Sequence, residues 1–242
     1  MTSVCMATYN GARFIREQID SILPQLGAED ELIISDDGST DGTLGILAEY
    51  ATADARVKVL HHEKCGNRYY PSLKLCFSTS NFENALRHAN GDHIFLSDQD
   101  DVWEKDKVKK SLEFLRTHDF VIHNLSLIDD FGTVIKEQYY SKTHLKFRVP
   151  ADLLTLSFWG CCACFRRKIL EKALPFPPKI AQHDSWIGLV AEKYGSCFWN
   201  DECLIRYRIF SRNTSTGGRK SENSFWLKIK YRLNMLVALT KR

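Results

Sequence analysis

Apolar and polar positions change over in blocks along the first hundred residues. Ser3 to Thr8 is a short apolar run broken by Asn10-Gly11, after which Phe14, Ile15, Ile19, Ile22 and Leu23 recur at helical spacing until Pro24 and Gly27. Glu31 to Ser35 predicts a second strand, and Leu44, Leu47, Ala48 and Ala51 predict one buried face of a following helix. Val57 to Leu60 gives a third strand. Phe82, Ala85, Leu86 and Ala89 mark a helix that stops at Asn90-Gly91 and leads into a fourth strand, His93 to Leu96. This β-α-β-α rhythm predicts an α/β fold, a Rossmann-like and mostly parallel central sheet flanked by helices.

Further along, Val108, Leu112 and Leu115 predict a helix, Phe120 to His123 a strand and Asp130-Phe131-Gly132 a hairpin turn. Gln182 to Tyr194 reads as a helix with Ile187, Val190, Ala191 and Tyr194 buried and Gly195 as its stop. Lys105, Lys107, Lys109 and Lys110 read as a solvated helix face. The irregular stretch from Glu63 to Ser80 predicts a mobile loop. From Phe225 to Arg242 the character changes: Phe225, Trp226, Ile229, Leu233, Leu236, Val237 and Leu239 mix with Lys228, Lys230, Arg232, Lys241 and Arg242, and no acid intervenes. Such a helix either lies on an anionic membrane surface or docks on its own domain or a second copy. The expected organisation is one domain over 1–220 and a basic amphipathic helix over 221–242, with a homodimer left open.

Composition narrows the classes. At 242 residues, with 44% hydrophobic and 26% charged positions, the chain is ordinary globular protein. A formal charge of +3 gives no global basic field for nucleic acid. No apolar stretch has transmembrane length and no export signal opens the chain, so its eight cysteines read as reduced thiols of a cytoplasmic protein. Cys161 and Cys164 form a CxxC, but Cys197 and Cys203 have the wrong spacing to complete a zinc ribbon. The segment around Cys161 reads instead as packed and apolar.

In an open α/β sheet, ligands bind beyond the carboxyl ends of the strands. Thr8-Tyr9-Asn10, Asp36-Asp37-Gly38-Ser39 and Asp98 to Asp101 all fall at such ends, so distant segments are expected to converge on one crevice. Ser97-Asp98-Gln99-Asp100-Asp101-Val102-Trp103 places three carboxylates in four positions after an apolar run. Like charges that close repel, and a hard divalent cation such as Mg²⁺ relieves them. The competing use is a helix N-cap, for which one Asp is enough. Asp37 to Gly42 partly fits a calcium loop, but its twelfth position is Ala48 where a bidentate Glu belongs. The alternative is a strand-to-helix turn whose carboxylate accepts a nucleobase N–H.

Taken together, Ser3-Val4-Cys5-Met6-Ala7-Thr8-Tyr9-Asn10-Gly11, Ile33 to Gly42, Asn81-Phe82-Glu83-Asn84-Ala85 and Ser97 to Trp103 occur in an order that resembles family 2 of the glycosyltransferases, most of all its bacterial rhamnosyltransferase-like members. The resemblance implies a GT-A fold and an inverting, metal-dependent transfer of rhamnose or a hexose to a growing cell-surface glycan. It also implies a donor, dTDP-rhamnose or a UDP-hexose, held with Mg²⁺ or Mn²⁺, and a glycan or lipid-linked glycan acceptor at the inner face of the membrane. Thr8, Tyr9 and Asn10 would line the nucleotide pocket, Asp37 would take the pyrimidine N3–H and Asp98 would lie near the ribose. Asp100 would coordinate the metal with Asp101 in support, and Asp184, after His183, would be the catalytic base, its charge favoured by a helix N-terminus. Tyr207-Arg208, Asn213 and Ser215 match a flexible segment that closes over the diphosphate. Phe210 stands where such proteins often carry His, leaving Arg208, Arg212 or water to replace that contact. Trp159 and Trp186 are candidates for stacking on a sugar ring, with core packing the commoner use. A nucleotidyltransferase and a non-catalytic sugar-nucleotide or glycan-binding module are the alternatives. The first lacks a Gly-rich basic triphosphate loop near Asn10, and the second has no use for a base.

Overall fold

The computed structural model describes residues 1–63, 76–143, 145–180, 182–210 and 224–242. Four strands, β1 (Thr2–Thr8), β2 (Glu31–Asp36), β3 (Val57–His61) and β4 (His93–Ser97), run parallel in the order β3-β2-β1-β4. They are joined by helices α1 (Ile15–Ile22), α2 (Thr43–Ala53) and α3 (Cys76–Arg87). β1, β2 and β4 are covered along almost their whole lengths, as expected of strands with helices over them.

The sheet continues past β4 in a less regular way. A short strand β5 (Val102–Trp103) and helix α4 (Lys107–Leu115) precede the long buried strand β6 (Phe120–Ile128), which turns back into β7 (Val134–Lys136). Helix α5 (Val149–Thr155) and a 3-10 turn, Gly160–Cys162, lead to β8 (Ala163–Arg166). After α6 (Arg167–Ala173) and α7 (His183–Tyr194), β9 (Cys197–Arg208) and α8 (Phe225–Thr240) complete the described elements. β8 is antiparallel to both β4 and β6, and β9 runs parallel to β6, giving the path β3-β2-β1-β4-β8-β6-β9-β5. The central sheet is therefore mixed and mostly parallel, flanked by helices and followed by a C-terminal helix.

Three expectations need correction, the first being the irregular stretch as far as Ser80: Cys76–Ser80, placed in it, opens α3. On α2 the buried side is Thr43 and Leu47, while Leu44 is exposed. The helix is turned because the Thr43 hydroxyl faces inward, accepting from the Gly11 N–H at 2.8 Å. Lys107 lies outside any solvated face: it is buried, its Nζ donates to the Cys161 carbonyl at 2.6 Å and sits 4.0 Å from the Trp103 ring centre. Trp186 is core, with its indole N–H on the Ala173 carbonyl. Trp159 packs edge-on to Tyr207 and tilted against Tyr139.

The topology reverses beside β1. From β1 the chain moves outward through β2 and β3, then returns across the sheet to β4 on the other flank. Connections leaving β1 and β4 therefore diverge, and a crevice opens above their carboxyl ends.

Candidate active site

Backbone register sets the floor of this crevice. Thr8 lies opposite Asp36, and Asp36 opposite His61, so Tyr9, Asp37 and His62 emerge side by side from adjacent strands. Asp36 builds the turn, its carboxylate accepting from the Gly38 and Ser39 N–H groups at 3.0 and 2.8 Å. Gly38 takes φ +77°, a conformation glycine reaches without a Cβ penalty. Asp37 is thereby turned to the crevice side and meets His62 Nδ1 at 2.8 Å. Asn10, at φ 49°, joins the two loops: its N–H donates to Ser39 Oγ and its Oδ1 accepts from the Thr40 N–H, both at 2.8 Å.

Gln99 ties the β4 end to the β1 end. Its Oε1 accepts from Thr8 Oγ1 at 2.6 Å and from the Tyr9 N–H at 2.9 Å, while its Nε2 donates to the Tyr9 carbonyl. Gly11 permits this approach, since a Cβ there would fall 2.4 Å from Gln99 Oε1. Gln99 and His62 were not singled out in the sequence; an amide among three acids, and a polar residue closing the third strand, are the signals that mark them.

Four carboxylates gather beyond this floor. Asp98 and Asp101 each bring an oxygen, and Cys161 its sulfur, to within 4.8 Å of one another; Asp100 stands outside that trio. Burial pushes the Asp98 carboxyl up to about 6. Burial and then the charge of Asp98 push Asp100 up to about 7. Asp101, fully buried, is raised well above the ordinary carboxylate range by burial and then by the charges of Asp100 and Asp98. One Asp101 oxygen accepts from the Arg208 N–H at 3.0 Å, and the other, Oδ2, is buried without a partner among the described residues. Mutually repelling, partly desolvated carboxylates with an orphaned oxygen are the donor set that a divalent cation satisfies. The N-cap reading fails, because α4 begins at Lys107 after Asp106 and β5 intervenes.

Asp184 faces the same cluster from α7. Its Oδ1 accepts from the Ser185 N–H at 2.6 Å, and it also accepts from the Gly160 N–H. The helix terminus does not hold it fully ionised, as the sequence suggested. Burial, aided by the charge of Asp98, outweighs these hydrogen bonds and lifts the carboxyl to about 7. A group that titrates there is suited to accept a proton near neutrality. His183 beside it is kept neutral by burial, falling to about 3, and stacks on Phe82 at 3.9 Å.

Arg208 has a different setting from the one expected. It ends β9 rather than lying on a loose segment, and its buried guanidinium reaches the Asp100 and Asp129 carbonyls at 2.8 and 3.1 Å and Glu17 at 2.6 Å. Phe210 stacks on Phe14, whose ring also carries the Arg208 guanidinium at 4.6 Å. Arg212, Asn213, Ser215 and positions 64–75 of the expected loop lie outside the described residues.

The fold is of the GT-A kind, and above its switch point stand a polar floor, a carboxylate cluster and a further carboxylate poised near neutrality. The chain belongs to glycosyl transferase family 2, whose family model, "Glycosyl transferase family 2", matches residues 3–174. Among curated relatives, it is 28% identical over 230 residues to the Bacillus subtilis glycosyltransferase TuaG, assigned provisionally to teichuronic acid biosynthesis, covering 93% of this chain and 86% of that one. Identity to the dTDP-rhamnosyl transferase RfbG of Shigella flexneri is 37% over 115 residues, 46% of this chain and 36% of that one. The crystal structure of residues 1–349 of Staphylococcus aureus TarS in complex with UDP-GlcNAc superposes with TM-score 0.71 at 20% identity, over 98% of this chain and 66% of that one. The Pyrobaculum calidifontis mannosyltransferase PcManGT, solved with GDP-Man and Mn²⁺, superposes with TM-score 0.60 at 21% identity, over 88% and 58%.

Proposed function

We propose that the chain transfers rhamnose or a hexose, with inversion, from a nucleoside diphosphate donor to a growing cell-surface glycan. The observation that carries this reading is the meeting of Asp98, Asp100, Asp101 and Asp184 above the floor built by Thr8, Tyr9, Asn10 and Asp37. The RfbG relationship favours dTDP-rhamnose as the first donor, with a UDP-hexose second. The acceptor is a glycan or lipid-linked glycan presented at the inner face of the membrane.

Each residue then has a chemical task. Asp37, oriented by His62, accepts the pyrimidine N3–H, and Thr8, Tyr9 and Asn10 line the base and ribose side. Asp98 lies nearest the ribose and contributes, with Asp100 and Asp101, the oxygens that would hold Mg²⁺ or Mn²⁺. The bound cation would offset charge on the departing nucleoside diphosphate. Arg208 fixes the height of the acidic segment through the Asp100 carbonyl and the Asp101 carboxylate. Asp184 takes the acceptor hydroxyl proton as that oxygen bonds to C1 and the bond from C1 to the diphosphate oxygen breaks.

Calorimetric titration of dTDP and UDP with Mn²⁺ tests the reading. Binding that is lost when Asp37 is changed to Ala supports it. Equal affinity in wild type and Asp37→Ala contradicts it.

A further inference from the structure

A helix docked by one stripe ordinarily turns a polar face to water. α8 does not. Tyr231, Met235 and Leu239, at successive i,i+4 spacings, form its buried stripe. Arg232 donates to the Leu153 and Leu154 carbonyls on α5, Lys193 of α7 to the Leu239 carbonyl and Arg242 to the Leu174 carbonyl, so the helix is held firmly in place. On the opposite side, Trp226, Leu233 and Val237 recur at i, i+7 and i+11, and they are 76%, 56% and 51% exposed. Phe225, Leu236 and Leu154 of α5 are exposed beside them. Among the described residues nothing covers this face.

Its charge selects the occupant. Lys230 and Lys241 flank the apolar line, and the segment from Phe225 to Arg242 contains five cations and no acid, although the whole chain has a formal charge of only +3. Arg232 and Arg242 are held on the docked side, so the outer face carries Lys230 and Lys241 with no acid of its own helix beside them. A second copy offers this face only the same basic edge, whereas an anionic lipid surface accepts both the lysines and the aromatic pair. At 16 residues α8 is about 24 Å long, short of the ~30 Å hydrocarbon thickness, so it suits lying along the interface. No described helix is long and apolar enough to cross a membrane.

We propose that the outer face of α8, centred on Trp226, Leu233 and Val237 and edged by Lys230 and Lys241, is a docking surface for an anionic phospholipid bilayer. The inference stands on α8 alone and holds whichever sugar the crevice uses. The test is co-sedimentation of the full chain with phosphatidylcholine vesicles and with vesicles that also contain phosphatidylglycerol. The wild type is expected to partition onto the anionic vesicles and to be released by raised salt. Trp226→Ser with Leu233→Ser lowers the partition on the order of tenfold or more, and Lys230→Gln lowers it about fivefold. Both variants keep the wild-type circular dichroism and donor turnover in vesicle-free solution, because these side chains are largely exposed and lie outside the core. Failure of the wild type to bind anionic vesicles, or undiminished binding by the double variant, overturns the proposal. A dimer in light scattering that the double variant dissociates, without vesicle binding by the wild type, overturns it in favour of a second copy.

Discussion

Replacing Asp184 with Asn separates chemistry from folding in a way few substitutions here can. The amide keeps the side-chain shape and an oxygen for the Ser185 N–H but cannot accept the acceptor hydroxyl proton. Loss of a general base lowers turnover by about 10²- to 10⁴-fold, or roughly 3 to 5.5 kcal/mol of barrier. Stability should move the other way. In the folded chain the carboxyl titrates at about 7 against an ordinary 3.8, so the native state holds a proton that the unfolded chain releases. The Asp184 contribution to stability is therefore complete below about pH 4 and is lost as pH rises to about 7. Asn carries no such penalty. At pH 8 the variant should be more stable by on the order of 2 kcal/mol, a value reduced from the full shift because the mostly buried side chain keeps some contact with solvent. At pH 4 the two proteins should unfold alike. Urea unfolding at both pH values, paired with nucleoside diphosphate release, checks this. Normal turnover by Asp184→Asn, or lost turnover together with lower stability at pH 8, would refute the reasoning.

Other perturbations have equally specific outcomes. Gly160→Ala places a Cβ 3.2 Å from both Asp184 Cβ and His183 Nε2, and should lower kcat on the order of tenfold while leaving the donor KM near wild type in steady-state assays. Arg208→Ala removes the guanidinium from two carbonyls and Glu17 and should cost about 3 kcal/mol in urea unfolding, with little recovery from Lys, which lacks the planar fork. Gln99→Ala frees the β1 end from the β4 end and should raise the donor KM about fivefold, the equivalent of one net hydrogen bond at ~1 kcal/mol. Mn²⁺ at about a hundred times its Kd should stabilise the wild type by about 2.7 kcal/mol at pH 8 and should leave Asp98→Asn with Asp101→Asn unchanged in thermal unfolding.

The parallel half of the sheet is legible because β1, β2 and β4 are covered on both sides and write themselves as apolar runs ending in Gly, Asn or Asp. The helices between them show their inner faces for the same reason, except α2, where a hydroxyl hydrogen-bonded across to Gly11 takes an inward position that apolar periodicity assigns elsewhere. The antiparallel half is less legible. β5 has two residues and β8 four, too few for a period, and their pairings join segments far apart in the chain. The acidic segment announces itself through crowding of like charge. Its surroundings do not: the Cys161 thiol and the Arg208 clamp reach it from distant elements, and Lys107, though close in the chain, is turned inward by the distant Cys161 carbonyl.

The central claim is that the carboxylates of the crevice serve one nucleotide-sugar reaction. Incubating the full chain with dTDP-rhamnose and with UDP-hexoses, with Mn²⁺ or with EDTA, and measuring nucleoside diphosphate release tests it most directly. The account predicts release from at least one donor, suppressed by EDTA and by Asp184→Asn. Release that is indifferent to both, or no release from any of these donors by a chain that binds none of them, would contradict it.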